Sequence, residues 1–269
     1  MFKQKVMVRY SKKLGEKDKE LLQYLHNEEI EIFSFNQLRK IINCNKGMLQ
    51  TTLEKLVSAN FLSRIERGKY CLPSFRNEFV IGTFIAPNSA IGYWSALHWY
   101  GLTDRFPNSV FIQSPKIKSD KEIFGVQYKF IKIKLEKISG VIEKGNRGNK
   151  FLITDKEKTL VDCFDLPQYA GSYSDLIRAF SQAEIDETKL IEYCKKINNI
   201  SAMKRMGFLA SLVKKPDYEN FLVFVKTNIN KRYTLFDPAG QNTGQFDKEW
   251  NLRLNISKVD LEEILVSTY

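Results

Sequence analysis

The first 75 residues carry a sequence of apolar spacings and breaks that few folds can satisfy. Leu21, Leu22 and Leu25 recur at helical intervals within residues 15–27, with charges on the other side. Ile32 and Phe33 follow, and Ser34 is placed to cap a second helix over Phe35–Ile42. Asn43-Cys44-Asn45-Lys46 breaks the pattern as a turn. The spacing then predicts a third helix, with Met48, Leu49, Leu53, Leu56 and Val57 on its apolar face and Ala59-Asn60 at its end. Two short runs, Phe61–Ile65 and Lys69–Pro73, flank Glu66-Arg67-Gly68, which reads as a hairpin. Helix, helix, turn, helix and basic hairpin is the order of a winged helix-turn-helix.

The rest of the chain mixes both periods. Asn88 or Ser89 is placed to cap a helix that holds Ile91, Trp94, Leu97 and Trp99 and closes at Gly101. Strands are predicted over Ser109–Gln113 and Ile123–Leu135. In the second, Ile131, Ile133 and Leu135 alternate with Lys132 and Lys134. Gly145-Asn146-Arg147-Gly148 reads as a turn and Lys150–Ile153 as a strand. Thr154-x-x-Glu157 has the form of a capping box, opening a helix that runs through Leu166. Helices are expected from Tyr173 to about Val225, then strands at Tyr233–Phe236 and Leu252–Ile256 around a Gly-rich loop. The expected fold class is α+β. An N-terminal winged helix-turn-helix over residues 1–80 precedes a larger mixed α/β domain over 81–269, with the boundary near Asn77–Gly82.

Charge points to a class of partner. The 269 residues hold 42 Lys+Arg against 31 Asp+Glu, a net charge of +11. Residues 1–80 alone carry 15 Lys+Arg and 9 Asp+Glu. Such an excess favours a polyanion, although a lysine-rich surface with no such partner has the same composition. Apolar residues make up 43%, enough to bury a core, so disorder is not the expected state. No apolar run is long enough to span a membrane, and the N-terminus lacks a signal-peptide core, so a cytoplasmic protein is expected. Cys44, Cys71, Cys163 and Cys194 form no short-spaced pair, and His26 and His98 lie far from them in sequence. No metal site or other cofactor is expected, only reduced thiols.

In a helix-turn-helix the second helix of the motif enters the major groove. Here that helix presents Gln50, Thr51 and Thr52, which suit base edges, with Lys46 and Lys55 toward its ends, which suit phosphates. The hairpin adds Arg64, Arg67 and Lys69, and the N-terminal arm adds Lys3, Lys5, Arg9, Lys12 and Lys13. The alternative is a winged helix that contacts protein, with these cations merely solvated. A second basic stretch, Lys116–Lys150, holds ten Lys/Arg against four Asp/Glu. Lys132 and Lys134 there either add DNA backbone contact or serve as the lysines that keep an edge strand from aggregating.

Enzymatic chemistry finds little support. Asp155, Glu157, Asp162 and Asp165 gather around one helix, but the first two suit its N-terminus and the last two suit pairing with lysines. Ser95 does not sit in a nucleophile-elbow motif, and His98, one helical turn on, has no orienting acid. There is no Walker A motif and no dinucleotide fingerprint. The chain is not expected to be an enzyme.

Three segments resemble the AbiEi antitoxin family in order and spacing. Ala90–Thr103, reading Ala-Ile-Gly-Tyr-Trp-Ser-Ala-Leu-His-Trp-Tyr-Gly-Leu-Thr, is similar to the family's Ser-Ala-Leu-x-x-x-Gly-Leu-Thr helix. Arg67-Gly68-Lys69-Tyr70 matches the family's wing. Phe151–Asp162 resembles its Pro-Glu-Lys-Ala-Leu segment, with Asp155-Lys156 where the family often has a small residue and Pro.

The resemblance implies an antitoxin and autorepressor of a type IV toxin–antitoxin system, used in phage defence by abortive infection. Two copies would bind inverted repeats in the system's own promoter, on double-stranded operator DNA. The C-terminal domain would neutralise a nucleotidyltransferase-like toxin, without needing a stable complex. Ser95, Asp155, Glu157 and Lys158 lie in the matching segments and are the candidates for that role. Two other readings remain: a winged-helix regulator that responds to a ligand, and an enzyme that modifies the toxin or its substrate.

Overall fold

The computed structural model describes residues 14–42, 44–146, 149–215 and 218–267. The chain divides into two compact units. One runs up to Asn77 and also takes in Asn146 and Asn149; the other comprises Glu78–Gly145 and the chain from Lys150 onward.

The first unit contains α1 (Glu16–Asn27), β1 (Ile32–Ser34), α2 (Phe35–Ile42), α3 (Lys46–Ser58), β2 (Ser63–Glu66) and β3 (Lys69–Cys71). The leucines read from the sequence are its core. Leu21, Leu22 and Leu25 of α1 meet Leu38 of α2 and Leu49, Leu53 and Leu56 of α3. Each such side chain, fully buried, contributes about 1.5–3 kcal/mol. A reciprocal capping box opens α2: the Ser34 N–H donates to Gln37 Oε1 at 2.9 Å, and the Gln37 N–H donates to Ser34 Oγ at 3.2 Å. Asn45 Oδ1 caps α3 by accepting from the Gly47 and Met48 N–H groups. Met48, expected in the core, is instead 39% exposed.

The strands form an antiparallel sheet in the order β1-β3-β2. The β2–β3 turn places Gly68 at φ +74°, and the Gly68 carbonyl accepts the Phe35 N–H at 2.8 Å. The hairpin is thereby tied to the start of α2. β1 is absent from the sequence reading, because three residues are too few to show alternation. It exists because Phe33 pairs with Tyr70, with stacked rings 5.8 Å apart.

The second unit begins with α4 (Glu78–Ile85), β4 (Ala90–Ile91), α5 (Tyr93–Trp99), β5 (Val110–Ser114), β6 (Lys121–Ile123), β7 (Val126–Lys132), β8 (Val141–Lys144) and β9 (Phe151–Thr154). Helices α6 (Lys156–Asp165), α7 (Tyr173–Gln182), α8 (Glu187–Ile197), α9 (Ile200–Val213) and α10 (Glu219–Asn228) follow. The chain then forms β10 (Thr234–Leu235), β11 (Gln245–Asp247), β12 (Leu252–Leu254) and α11 (Lys258–Val266). The architecture is mixed α/β, in keeping with an α+β fold. A six-stranded mixed sheet runs β6-β7-β5-β4-β9-β8, and a small one runs β10-β12-β11. Phe111 and Ile131 of the large sheet share one core with Leu97, Leu160, Phe164, Phe180, Leu209 and Phe221 from the helices.

Four expectations for this unit are corrected. Ala90 and Ile91 are a strand, paired with both β5 and β9, and the helix starts only at Tyr93. Two apolar residues carry no period; the neighbouring strands decide their state. The strand expected over Ile123–Leu135 is a hairpin whose two-residue turn, Phe124-Gly125, has φ +53° and +81°, the signature of a primed hairpin turn. β7 ends at Lys132, and Leu135 is 74% exposed on a following 3-10 turn. The cap of α6 is Asp155 rather than Thr154, which is the last residue of β9. α4 was not anticipated, because its residues straddle the expected boundary. The close of α5 agrees with its reading: the Leu102 N–H reaches the Leu97 carbonyl and the Gly101 N–H reaches that of His98.

Gly207 lies within α9, where an added Cβ would sit 2.4 Å from Cζ3 of the buried Trp250. Alanine favours a helix by about 1 kcal/mol over glycine. Gly207→Ala is nevertheless expected to destabilise the protein, by about 1–3 kcal/mol, because Trp250 has no room to move. The measurement is thermal melting; a raised melting temperature would mean that the helix preference wins.

Candidate nucleic-acid interface

Helix α3 buries Leu49, Leu53 and Leu56 and turns Lys46, Gln50, Thr51 and Lys55 outward. Gln50 Nε2 donates to Glu54 Oε1 at 3.0 Å, and Thr51 Oγ1 donates to the Gly47 carbonyl at 3.1 Å. Both side chains are thus oriented yet exposed. Thr52 is different: it is half-buried and lines an apolar cleft with Leu21 and Tyr24 of α1. Of the three residues expected to read bases, α3 presents two on its open face.

The cations also divide. Lys55 forms an ion pair with Asp18, a buried residue of α1 whose carboxylate also accepts the Gly15 N–H at 2.9 Å. Burial acts to raise the Asp18 carboxyl. The Lys55 ammonium and the Gly15 N–H outweigh it and hold the group below the usual carboxylate range. Lys55 therefore fastens α3 to α1, a role its expected phosphate contact did not foresee. Lys69 is similarly engaged: it pairs with Glu66 at 2.9 Å, and its side chain is only 18% exposed. Arg64 and Arg67 are exposed on the hairpin. The sequence reading missed Arg39 and Lys40, which are exposed at the end of α2. Their place just after the buried Leu38 was the available signal. Lys3, Lys5, Arg9, Lys12 and Lys13 lie outside the described residues.

In the second unit, Lys132 is exposed at the end of β7, and exposed Lys134 lies 3.6 Å from Glu136. The four residues nominated for toxin neutralisation are interior. Ser95 is 1% exposed; its Oγ accepts the Phe111 N–H at 2.9 Å and donates to the Ser109 carbonyl, joining α5 to β5. Asp155 accepts the Lys158 N–H at 2.9 Å and the Tyr193 hydroxyl at 2.7 Å, with Lys189 at 3.6 Å. Glu157 accepts the Asp186 N–H at 3.1 Å. Lys158 is wholly buried and pairs with Asp162 one turn on. Burial pushes the Asp162 carboxyl up to about 6, against the pull of Lys158. Asp165 pairs with Lys137 at 3.1 Å and accepts from Asn199. These groups hold α6 in place, which is the structural use already weighed for its carboxylates.

Among the described residues, no cluster of His, Cys, Asp or Glu is arranged to hold a metal ion. None of their helices is long and apolar enough to cross a membrane. The four cysteines are free thiols.

No protein-family model matches the sequence, and comparison with curated proteins finds no match. Among solved structures, the chain is similar to the RV2827C protein from Mycobacterium tuberculosis. The TM-score is 0.66 at 14% identity, over 96% of this chain and 97% of that one. Likeness at that identity establishes a shared fold.

Two outcomes follow from the ion pairs. Lys158→Met leaves Asp162 buried without its cation and is expected to cost about 3–5 kcal/mol. Lys158→Met combined with Asp162→Leu should recover most of that loss in chemical denaturation; no recovery would mean that Lys158 has a role beyond its pair. Asp18, with its folded value lowered, stabilises the first unit fully above the ordinary carboxylate range. That contribution is lost as pH falls through its lowered value. Asp18→Asn should therefore flatten the acid limb of stability against pH; an unchanged limb would remove the pair from the account.

Proposed function

We propose that the chain is a DNA-binding autorepressor and antitoxin of a type IV toxin–antitoxin system acting in phage defence. The observation that carries the DNA half is the arrangement of α2, the turn, α3 and the β2–β3 hairpin on the β1-β3-β2 sheet. That order supports a winged helix-turn-helix, with α3 as the groove-reading helix and the hairpin as its wing. Gln50 is the base reader, through its bidentate amide, with Thr51 beside it. Arg64, Arg67 and Lys46 are exposed and hold phosphates, joined by Arg39 and Lys40 at the end of α2, the helix that crosses the backbone. Two copies on inverted half-sites obstruct the promoter of their own gene.

The antitoxin half rests on the resemblance of Ala90–Thr103 and Phe151–Asp162 to the AbiEi family. Ser95, Asp155, Glu157 and Lys158 act there as the frame of α5 and α6. The neutralising surface is then an exposed face of that frame, with Lys132 and Lys134 available to an acidic partner or to DNA.

The test is binding of the full chain to labelled DNA from upstream of its own gene, over a salt series with scrambled competitor. Tight, sequence-dependent binding is expected. Arg67→Ala should weaken binding to every sequence and flatten the salt slope by about one charge. Gln50→Ala should relax preference at one base pair, at a cost of about 1–3 kcal/mol. Sequence-blind binding, or an unchanged operator logo in the Gln50 variant, would count against this reading. Failure to rescue cells that express the neighbouring toxin gene would remove the antitoxin half alone.

A further inference from the structure

The small sheet of the second unit carries aromatic rings on the side away from the core. Phe246 of β11 lies directly opposite Arg253 of β12, and Arg253 is also opposite Leu235 of β10. Cross-strand partners share a face, as do residues two apart along a strand. Tyr233, which enters β10, therefore lies on the same side as Leu235, Phe246 and Arg253. The opposite side sends Phe236 and Leu252 into the shared core. On the outer side Phe246 is 57% exposed and Tyr233 is 42% exposed. Their rings meet edge to face with centroids 4.8 Å apart, and the Arg253 guanidinium lies 5.2 Å from the Phe246 ring centre.

A single exposed ring carries little information. This pair is also held in place. Lys204 and Arg205 of α9 are both buried. The Lys204 ammonium donates to the Arg232 carbonyl and, at 2.9 Å, to Asn230 Oδ1. Arg205 Nε donates to the Leu235 carbonyl at 3.1 Å. Two buried cations thus grip the main chain on either side of Tyr233. Arg253 Nη1 donates to Asn242 Oδ1 at 2.7 Å, which fixes the guanidinium beside Phe246. A surface ordered in advance loses less entropy when it binds.

The charge around the pair is positive. Lys231 and Arg232 are exposed next to Tyr233, and Lys248 is exposed near Phe246. The carboxylates of the adjoining turn are committed: Asp247 accepts the Trp250 N–H at 2.7 Å, and Glu249 pairs with Lys226 at 2.7 Å. Aromatic rings set among cations match a strand with unpaired bases and phosphates. Duplex DNA keeps its base faces stacked inside, whereas RNA presents unpaired bases in loops and ends.

We propose that this sheet face binds single-stranded RNA, with bases stacked on Tyr233 and Phe246 and phosphates held by Lys231, Arg232 and Lys248. The surface belongs wholly to the second unit and uses no residue of the operator reading, so either can fail without the other.

The test is fluorescence anisotropy of the full chain with labelled oligouridylate, in excess unlabelled random-sequence duplex DNA. The duplex occupies any surface that reads charge alone. Saturable binding is expected. Tyr233→Ala and Phe246→Ala should each weaken it about tenfold, in keeping with the loss of one stacked base. Tyr233→Leu, which keeps apolar bulk without a flat ring, should weaken it as well, whereas Tyr233→Phe should bind as the parent does. Arg232→Ala should lower the salt slope by about 0.7. Both rings are exposed, so the variants should melt close to the parent. The proposal is overturned if no binding is seen at about 100 μM protein, the weak end of non-specific nucleic-acid binding. It is also overturned if duplex DNA removes the binding, or if either alanine variant binds as tightly as the parent. Tighter binding of oligothymidylate of equal length would make the occupant DNA, and equal binding of an oligoglutamate of equal charge would make it an acidic protein segment; each would overturn it.

Discussion

Lys158 has no surface in contact with water, and the second unit is built around that fact. An ammonium taken into a protein interior costs several kcal/mol unless a carboxylate and good geometry answer it. Asp162 answers it one helical turn away, so both charges ride on α6. The same helix is fixed at its start by Asp155, which takes the Lys158 N–H and the Tyr193 hydroxyl of α8. Glu157 takes the backbone N–H of Asp186, just ahead of α8. At its far end, Asp165 takes Lys137 and Asn199. Asp155 and Glu157 thereby set the register of α6 against α8, Asp165 anchors its far end to the turn at Lys137 and to the start of α9, and Leu160, Val161 and Phe164 of α6 are buried in the shared core.

A smaller version of the same device operates in the first unit. Its core is three helices and a short sheet, and the Lys55–Asp18 pair links α3 to α1 at the edge of that core. Asp18 does two things at once, closing the N-terminus of α1 and holding α3. One consequence concerns function. A basic sequence does not deliver all of its cations to a partner, since Lys55 and Lys69 are engaged with Asp18 and Glu66. The exposed arginines of the hairpin, Lys46 and the end of α2 are among the described cations that face outward. Arginine suits phosphate well, because its planar fork makes paired hydrogen bonds.

Burial also changes how the resemblance is to be read. Two of the three segments that carry it, α5 and α6 with their flanks, are largely enclosed. Motifs of this kind mark how a domain is held together.

The sequence by itself determined the helices of the first unit, the Ser34 cap of α2 and, Met48 apart, the apolar face of α3. Those features depend on contacts three or four residues apart, such as Ser34 with Gln37 and Asn45 with Gly47. It also determined the Gly101 terminus of α5 and the helical run from Tyr173. Only the tertiary structure decided that Ala90-Ile91 is a strand, that Ile32–Ser34 joins the β2–β3 hairpin in one sheet and that Phe124-Gly125 turns the chain. It alone decided which charges are free, because Asp18 with Lys55, and Lys137 with Asp165, are partners distant in sequence. Gln113 read as one residue of a strand; what sets it apart is that folding enclosed its amide without giving it a partner among the described residues. Local hydrogen bonds are written in the order of residues. The fate of a charge or an amide depends on which distant side chain folding brings beside it.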